Sequence, residues 1–380
     1  MTPAQSRASA ELKDFAAGTK ELGDYKGAAR RERVWEALVW AVCGAGKTEV
    51  VLEAVAAVLS AGGRVLYASP RRDVVKELAP RLQAAFGGLE MLVSFGGSKD
   101  KFRRAALTAA TTHQVLRFYR SFDLVVLDEV DAFPYQGNRA LVRGVLRALK
   151  PGGKLIYMTA TPENVLLSRA DRGQVRLVTI PARHHGRPVP EPIIRKQPSF
   201  GRLPDGTWTV EPSVVDLLAR WLDEKARQVF IFLPTVQLVQ TFGRLIQEVF
   251  RQRLLLDEAG ILLADRFCYS YAGDSRREAV RRGFKGGDFR LMVSTTIMER
   301  GITVKNASVL VLEADYEQVF DEAALIQMGG RAGRSQEFPD GEVVFIGRRI
   351  TKSMSGAQAK IRRLNEIARS TGYLLPDSEP

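Results

Sequence analysis

The sequence Ala41-Val42-Cys43-Gly44-Ala45-Gly46-Lys47-Thr48 follows an apolar run, Ala37–Val42, and precedes an apolar segment, Glu49–Leu59. A strand, a glycine turn and a helix in this order form the context that a P-loop requires. Glycines let backbone N–H groups close around phosphate oxygens, and the start of the helix adds a favourable dipole. We predict that a nucleotide, ATP, is bound by six consecutive residues: Gly44, Ala45, Gly46, Lys47, Thr48 and Glu49.

Within this segment, Lys47 is the candidate for contacting the β- and γ-phosphates, and Thr48 is the candidate for holding Mg²⁺. The alternative is an ordinary glycine turn, because a Gly-Lys-Ser/Thr triplet arises by chance in about one chain in ten of this size.

A second motif is an apolar strand, Leu124–Leu127, that ends in Asp128 and Glu129. This pattern is typical of a Walker B element. We predict that Asp128 binds Mg²⁺ and that Glu129 orients or deprotonates the attacking water. An acidic loop after a buried strand is the alternative, which the P-loop upstream disfavours.

A third motif, Met158-Thr159-Ala160-Thr161-Pro162, follows the predicted strand Leu155–Tyr157. We predict that the hydroxyls of Thr159 and Thr161 sense the γ-phosphate through Asp128 or Glu129 and couple that state to nucleic-acid binding.

The segment from Ala324 to Arg334 carries two arginines, Arg331 and Arg334, among glycines. On a helix, this spacing places both guanidinium groups on one face. We predict that Arg334 is an arginine finger, that Arg331 is a second γ-phosphate contact and that Gln327 positions water. The alternative is a pair of solvated arginines on a loop.

The chain of 380 residues has a net charge of +13 and a pI of about 9.9, which favours a polyanionic partner such as nucleic acid. Hydroxyls and basic side chains just after apolar runs suit a sugar-phosphate backbone, although each is individually as consistent with an ordinary loop. The predicted nucleic-acid contacts are Ser69, Arg71, Thr112, His113, Thr235, Thr295 and Thr296.

Short apolar runs alternate with helical patterns, which predicts an α/β fold with mainly parallel sheets flanked by helices. Prolines recur through residues 183–207, which predicts a connection without regular pairing. We therefore predict domains at residues 1–185 and 186–350 and a helical extension at 351–380. Two cysteines and three histidines argue against a structural zinc site. No apolar run is long enough to span a bilayer, so we expect a cytoplasmic protein.

In order, AVCGAGKT, DEVD, MTATP and QMGGRAGR resemble motifs I, II, III and VI of superfamily 2 helicases and translocases. The strings VWAVCGAGKTE, TTHQVLRFYRSFDLVVLDEVDAFPY, PARHHGRPVP, TTIMERGIT and TPAQ resemble the ComFA family, the DNA-uptake ATPases of bacterial competence. The resemblance implies two tandem RecA-like domains with ATP between them, and an adenine contact at Gln5.

The same resemblance implies that ATP hydrolysis pulls transforming single-stranded DNA into the cell, at the inner face of the membrane, with the ComEC channel and ComFC as partners. ComFA proteins usually carry a four-cysteine zinc module before TPAQ, and this chain begins at TPAQ. Either this is a lineage without that module or the start of the chain is shortened, and DNA capture aided by the module stays open between the two.

Three other functions remain open from the sequence. The first is a PriA- or RecG-like repair or replication-restart helicase that separates duplexes. The second is a non-motor, nucleotide-gated protein that binds nucleic acid. The third is an RNA helicase, which Asp-Glu-Val-Asp disfavours because it departs from both Asp-Glu-Ala-Asp and Asp-Glu-Ala-His.

Overall fold

The computed structural model describes residues 1–18, 34–98, 103–202, 204–223, 226–257, 260–271, 274, 276–296 and 304–375. The chain divides into two compact units. The first comprises Met1–Ala41 and Ala45–His184, and the second comprises Val42–Gly44 and His185–Pro380. No helix in the described part of the chain is both long and apolar enough to cross a membrane.

The first unit alternates strands and helices along the chain. Its strands are β1 (Trp35–Ala41), β2 (Val65–Ser69), β3 (Met91–Ser94), β4 (Leu107–Thr111), β5 (Phe122–Asp128), β6 (Leu149–Thr159) and β7 (Arg176–Ile180). Its helices are α1 (Pro3–Ala17), α2 (Lys47–Ser60), α3 (Arg72–Ala85), α4 (Thr112–Val115), α5 (Arg139–Ala148) and α6 (Asn164–Asp171).

The described strands of the first unit form one sheet in the order β3-β4-β2-β5-β6-β1-β7, and every pairing is parallel. A parallel sheet is covered on both faces, so its strands are apolar throughout. Strand β1 fits this rule, because its last five residues are all buried. Since the strands are parallel, the P-loop after β1, the acids at the end of β5 and the threonine that ends β6 all lie at the carboxyl edge.

The second unit has the same plan. Its strands are β8 (Ile193–Lys196), β9 (Phe200–Arg202), β10 (Trp208–Val210), β11 (Gln228–Phe232), β12 (Phe267–Ser270), β13 (Leu291–Ser294), β14 (Ala307–Val311) and β15 (Val343–Gly347). Its helices are α7 (Pro212–Leu222), α8 (Val236–Gln252), α9 (Arg277–Gly286), α10 (Glu322–Gly329) and α11 (Lys352–Ser370).

The main sheet of the second unit has the order β12-β13-β11-β14-β15-β8, again with parallel pairs, and β9 and β10 form a separate antiparallel hairpin. Trp221 of α7 and Phe242 of α8 are fully buried against this sheet. Helix α11 buries Ala357, Ile361 and Leu364, which are spaced for one face of a helix.

The α/β fold with two parallel sheets is therefore confirmed, but the expectation of an unpaired proline-rich connection is wrong in two places. Strand β9 lies within this stretch and pairs with β10. Strand β8 lies inside residues 183–207 and pairs with β15, from Val344↔Ile193 to Gly347↔Lys196. The run Ile193–Lys196 lies between Pro192 and Pro198 and contains no proline itself, so each of its residues keeps a backbone N–H for pairing. It also forms the edge of the sheet, where only one side of the strand must pair.

Candidate nucleotide site and nucleic-acid interface

The P-loop segment forms the expected strand, turn and helix. Gly44 and Gly46 have φ values of 83° and 72°, a left-handed conformation that glycine adopts without steric cost. Helix α2 begins at Lys47, and no side chain caps its first N–H groups. Unpaired N–H groups at a helix start are suited to phosphate oxygens.

Gln5 braces the P-loop from helix α1. Its Nε2 donates a hydrogen bond to the carbonyl oxygen of Ala45 at 2.8 Å, and its Oε1 accepts one from the backbone N–H of Thr2 at 2.7 Å. Only 7% of Gln5 is exposed. The adenine contact of Gln5 stays a prediction, and the structure shows that Gln5 reaches the phosphate-binding loop itself.

Asp128 ends β5 as a buried carboxylate. Burial is the largest influence on this group and raises its pKa from 3.8 to about 6, while the nearby Lys47 cation opposes this rise. The negative charge of Glu129 raises the pKa further, and the Glu129 backbone N–H, which donates to Oδ1 at 2.9 Å, favours the ionised form. A carboxylate with this pKa is ionised at neutral pH and gains from a bound cation.

Tyr67 connects the two predicted Mg²⁺ ligands, Thr48 and Asp128, a contact that the sequence motifs did not predict. Its hydroxyl donates to Oδ2 of Asp128 at 3.4 Å and also hydrogen-bonds with Thr48. Burial raises the pKa of the Tyr67 phenol well above 10, so the hydroxyl keeps its proton. The Asp128 carboxylate and the Thr48 hydroxyl both lie beside the Tyr67 phenol. Two such oxygen groups fit Mg²⁺, which prefers oxygen ligands and keeps several waters. The available signal was a tyrosine that follows two aliphatic residues in a buried strand.

Glu129 adopts a backbone conformation that is rare for a residue with a side chain. Its φ is 55°, which costs about 1 kcal/mol or more and persists only where the surroundings enforce it. Oε2 of Glu129 lies 3.7 Å from Nε of Arg71, a predicted nucleic-acid contact. Arg71 therefore lies beside the candidate general base, so a ligand that moves Arg71 would alter the charge next to Glu129.

The coupling motif is joined to the Walker B segment by a short buried hydrogen bond. The Thr159 hydroxyl donates to Oδ1 of Asp131 at 2.6 Å, and the Thr161 backbone N–H donates to the Thr159 hydroxyl at 2.9 Å. We expected contact through Asp128 or Glu129, whereas the hydroxyl bonds to Asp131. The positive φ of Glu129 turns the chain, and Asp131 is the carboxylate that meets the end of β6. The coupling role of Thr159 and Thr161 stays a prediction.

In the second unit, helix α10 ends at Gly329, so the expectation of both arginines on a helix face is wrong. Backbone N–H groups of Arg331 and Ala332 bond to the carbonyls of Met328 and Gly329, which tightens the chain into turns. Nε of Arg334 donates to the carbonyl of Gly330 at 2.7 Å, and Arg331 lies over the Phe230 ring at 5.5 Å. Gln327 lies within α10.

The predicted nucleic-acid contacts of the first unit differ in accessibility. Ser69 and Thr112 are fully buried at the ends of β2 and β4, so only a rearrangement would expose their hydroxyls, whereas His113 is exposed. All three stay predictions.

In the second unit, the Thr235 hydroxyl accepts a hydrogen bond from the Leu238 backbone N–H at 3.2 Å and caps α8. Thr295 and Thr296 follow β13 and are half-buried. Residues 297–303, part of the TTIMERGIT string, lie outside the described residues. The roles of these threonines also stay predictions.

Comparison with known proteins agrees with this geometry. The DEAD/DEAH box helicase family model matches residues 28–168, and the helicase conserved C-terminal domain model matches residues 213–336. The fold is similar to that of Saccharomyces cerevisiae Dbp5 bound to RNA and ADP BeF3, with a TM-score of 0.56 and 14% identity over 99% of this chain and 98% of that one. The chain is an ATP-hydrolysing enzyme of the superfamily 2 helicase and translocase class, with tandem RecA-like domains.

The sequence relatives are more specific. The competence protein ComFA of Bacillus subtilis (strain 168) is 38% identical over 88% of this chain and 68% of that protein. The ComFA of Streptococcus pneumoniae (strain ATCC BAA-255 / R6) is 36% identical over 87% of this chain and 73% of that protein. The chain belongs to the ComFA family, as the sequence motifs predicted.

Proposed function

We propose that this chain is an ATP-driven translocase on single-stranded DNA that draws transforming DNA into the cell during competence. The observation that carries the proposal is the arrangement at the carboxyl edge of the first sheet. There, the P-loop, a buried carboxylate under the influence of Lys47 and a hydroxyl link from Asp131 to Thr159 lie together. The competence relatives supply the biological setting.

In this proposal, Lys47 and the backbone of residues 44–49 hold the phosphates of ATP, and Gln5 fixes the loop and contacts adenine. Thr48 and Asp128 hold Mg²⁺, which when bound neutralises charge on the phosphates. Glu129 takes the proton of the attacking water, since it follows Asp128 directly and is held in a strained, fixed conformation.

The second unit carries the arginines that the sequence assigns to ATP hydrolysis. Arg334 is the arginine finger, because its Nε is already fixed by the Gly330 carbonyl and its remaining N–H groups are oriented by that bond. Arg331 is a second phosphate contact and Gln327 positions water. Loss of a finger of this kind costs about 10³-fold or more in turnover without removing nucleotide binding.

Single-stranded DNA is the proposed track. The net charge of +13 favours a polyanion, and the candidate contacts follow strands of both sheets. Each ATP cycle, relayed through Thr159, advances the strand. We further propose that the ComEC channel and ComFC receive and assist this strand at the inner face of the membrane.

The test is the ATPase rate with and without single-stranded DNA for the wild type, Lys47→Ala and Arg334→Ala. We expect strong stimulation in the wild type and near-zero turnover in both variants, with nucleotide binding kept only in Arg334→Ala. Lys13→Ala and Arg369→Ala are matched controls. Each removes an exposed cation on a helix of the same unit, and neither side chain has an ion pair with a described residue.

Three outcomes would overturn the proposal. An ATPase rate that does not change with single-stranded DNA would favour a nucleotide-gated binding protein. Efficient strand displacement of duplex DNA, measured beside translocation on a single strand, would favour a repair or restart helicase. RNA that stimulates better than DNA of the same sequence would favour an RNA helicase.

A further inference from the structure

The β9–β10 hairpin of the second unit carries an exposed tryptophan. Trp208 is 48% exposed, whereas Trp40 and Trp221 are buried. Trp208 pairs with Arg202 across the hairpin, and the Arg202 guanidinium lies 4.5 Å from the centre of the indole ring. This cation–π contact holds one face of the ring in place. The hairpin packs Val210 and Phe200 onto the core of the second unit and leaves the Trp208 ring exposed.

The hairpin lies at the carboxyl edge of the second sheet. It follows the end of β8, and the Ser199 hydroxyl accepts a hydrogen bond from the backbone N–H of Glu313, just after β14, at 3.3 Å. Ligands of parallel α/β sheets bind at this edge. Thr235, which begins α8 after β11, is at the same edge.

A cavity of about 380 Å³ lies between the hairpin and the first turns of α8. It is lined by Phe200, Trp208, Gln237, Leu238, Thr241, Glu313 and Arg348. Two aromatic rings and a leucine form the apolar part, and an amide, a hydroxyl and a carboxylate supply hydrogen-bonding groups. This volume is at the small end of ligand sites, which suits one nucleoside rather than a larger ligand.

The charge around the cavity favours an anionic ligand with an aromatic group. Arg202 and Arg348 are both exposed, and neither has a carboxylate partner among the residues that the structure describes. Gln237 and Thr241 extend from the helix that Thr235 caps, so a strand whose phosphate contacts Thr235 passes the mouth of the cavity. Every base has a flat face for stacking, and the adjacent phosphate needs a cation.

We propose that Trp208 and this cavity bind one unstacked base of the single-stranded DNA, with Arg348 on its phosphate. The inference rests on the proposed function, because it assigns the strand's bases a site in the second unit. Stacking on Trp208 accepts any base, as a translocase that moves along arbitrary sequence requires. Gln237 and Glu313 hydrogen-bond to the edge of the base.

Intrinsic fluorescence is the first test, because Trp208 is the most exposed of the four tryptophans: Trp35 is only partly exposed, and Trp40 and Trp221 are buried. Titration with single-stranded DNA should quench the wild type and should leave Trp208→Phe nearly unquenched. Trp208→Ala should weaken DNA affinity about 5- to 100-fold, and Trp208→Phe, which keeps a stacking ring, by much less. Circular dichroism of both variants verifies that the fold is kept.

An oligonucleotide of the same length without bases isolates stacking from charge. The Trp208→Ala variant should bind this base-free oligonucleotide as tightly as the wild type does. An equal loss on the normal and the base-free strand would overturn the proposal. Arg348→Ala should weaken binding to both strands. Its neighbour Arg349, which pairs with Glu317 at 3.5 Å and does not line the cavity, provides the matched control.

Failure of this proposal is distinct from failure of the proposed function. If the wild type binds single-stranded DNA and hydrolyses ATP in response, but Trp208 is neither quenched nor needed, only the base pocket is wrong. If the mononucleotide dAMP quenches Trp208 as well as the strand does at equal base concentration, the cavity binds free nucleotides and the proposal is overturned.

Discussion

The two units have closely similar sheets but different carboxyl edges. In the first unit, that edge carries a buried carboxylate, a strained glutamate and a P-loop, joined by hydrogen bonds that involve Tyr67 and Thr159. In the second unit, the same edge carries hydroxyls, exposed arginines and an aromatic hairpin. A buried group with a shifted pKa indicates chemistry, whereas exposed cations and rings indicate a surface that holds a polyanion.

This difference indicates a division of labour on a shared architecture. The first unit is organised around ionisable groups that burial and neighbouring charges hold at fixed positions. The second is organised around contacts that tolerate any nucleotide sequence. If the division is real, changes to the buried acids at the first edge alter turnover and its pH dependence. Changes to the exposed hydroxyls and the aromatic hairpin at the second edge alter affinity for the strand.

The largest effect that tests the division is expected for Glu129→Gln. Removal of the base lowers kcat about 10²- to 10⁴-fold, since glutamine keeps the shape but accepts no proton. Affinity for single-stranded DNA should change less than about twofold, because the general base acts only in the chemical step. Steady-state ATPase and DNA-binding measurements test both. Glu163→Gln, an exposed acid just after the coupling motif, is the control and should behave as wild type.

The second prediction concerns the burial of Asp128. Its folded pKa of about 6 lies above the unfolded value of 3.8, so its stabilising contribution is complete below 3.8 and is lost as the pH rises through about 6. In the nucleotide-free protein, Asp128→Asn should therefore raise the free energy of unfolding by about 1–3 kcal/mol at pH 7 and by almost nothing at pH 4.

Equilibrium urea denaturation at both pH values measures this gain. Asp14→Asn, at an exposed aspartate in the last turn of α1, should change stability by less than about 0.5 kcal/mol at either pH. An equal gain at pH 4 and pH 7 would show that burial of the ionised Asp128 carboxylate does not destabilise the folded protein. The first edge would then lack the electrostatic character that separates it from the second.

The third prediction tests the link from Asp131 to Thr159. Thr159→Val removes the 2.6 Å hydrogen bond while keeping the side-chain shape, and should cost about 1–3 kcal/mol of stability. It should also reduce the stimulation of the ATPase by DNA more than the basal rate. Thr108→Val is matched, because that buried hydroxyl has no hydrogen-bond partner within the described ranges. If both variants keep full stimulation, the coupling assignment is wrong.

The sequence predicted the parallel sheets, the positions of the main strands and the order of the ATPase motifs. It did so because a buried parallel strand is apolar throughout and a phosphate loop needs glycine, and both are local properties. It did not predict that Thr159 meets Asp131 or that Tyr67 joins Thr48 to Asp128. These contacts depend on the positive φ of Glu129 and on the β2–β5 register, which pairs Tyr67 with Val126.

The arginine segment shows a second limit. Spacing of three residues predicted a helix face, but the tandem glycines at 329 and 330 end α10 first. The hairpin with Trp208 gave no sequence signal, since its strands are too short for an alternating pattern. It lies in a proline-rich stretch that propensity alone assigns to a loop.

The smallest expected effect concerns Thr235, where the same hydroxyl caps a helix and is a candidate DNA contact. Thr235→Asp separates the two roles, because aspartate caps helices as well as threonine does but carries a negative charge. Stability should stay within about 0.5 kcal/mol of wild type, while affinity for single-stranded DNA falls about tenfold and ATPase without DNA is unchanged. Thr235→Ser should preserve all three. A normal affinity in Thr235→Asp would mean that this end of α8 does not face the strand, and the second edge would have to hold the polyanion elsewhere.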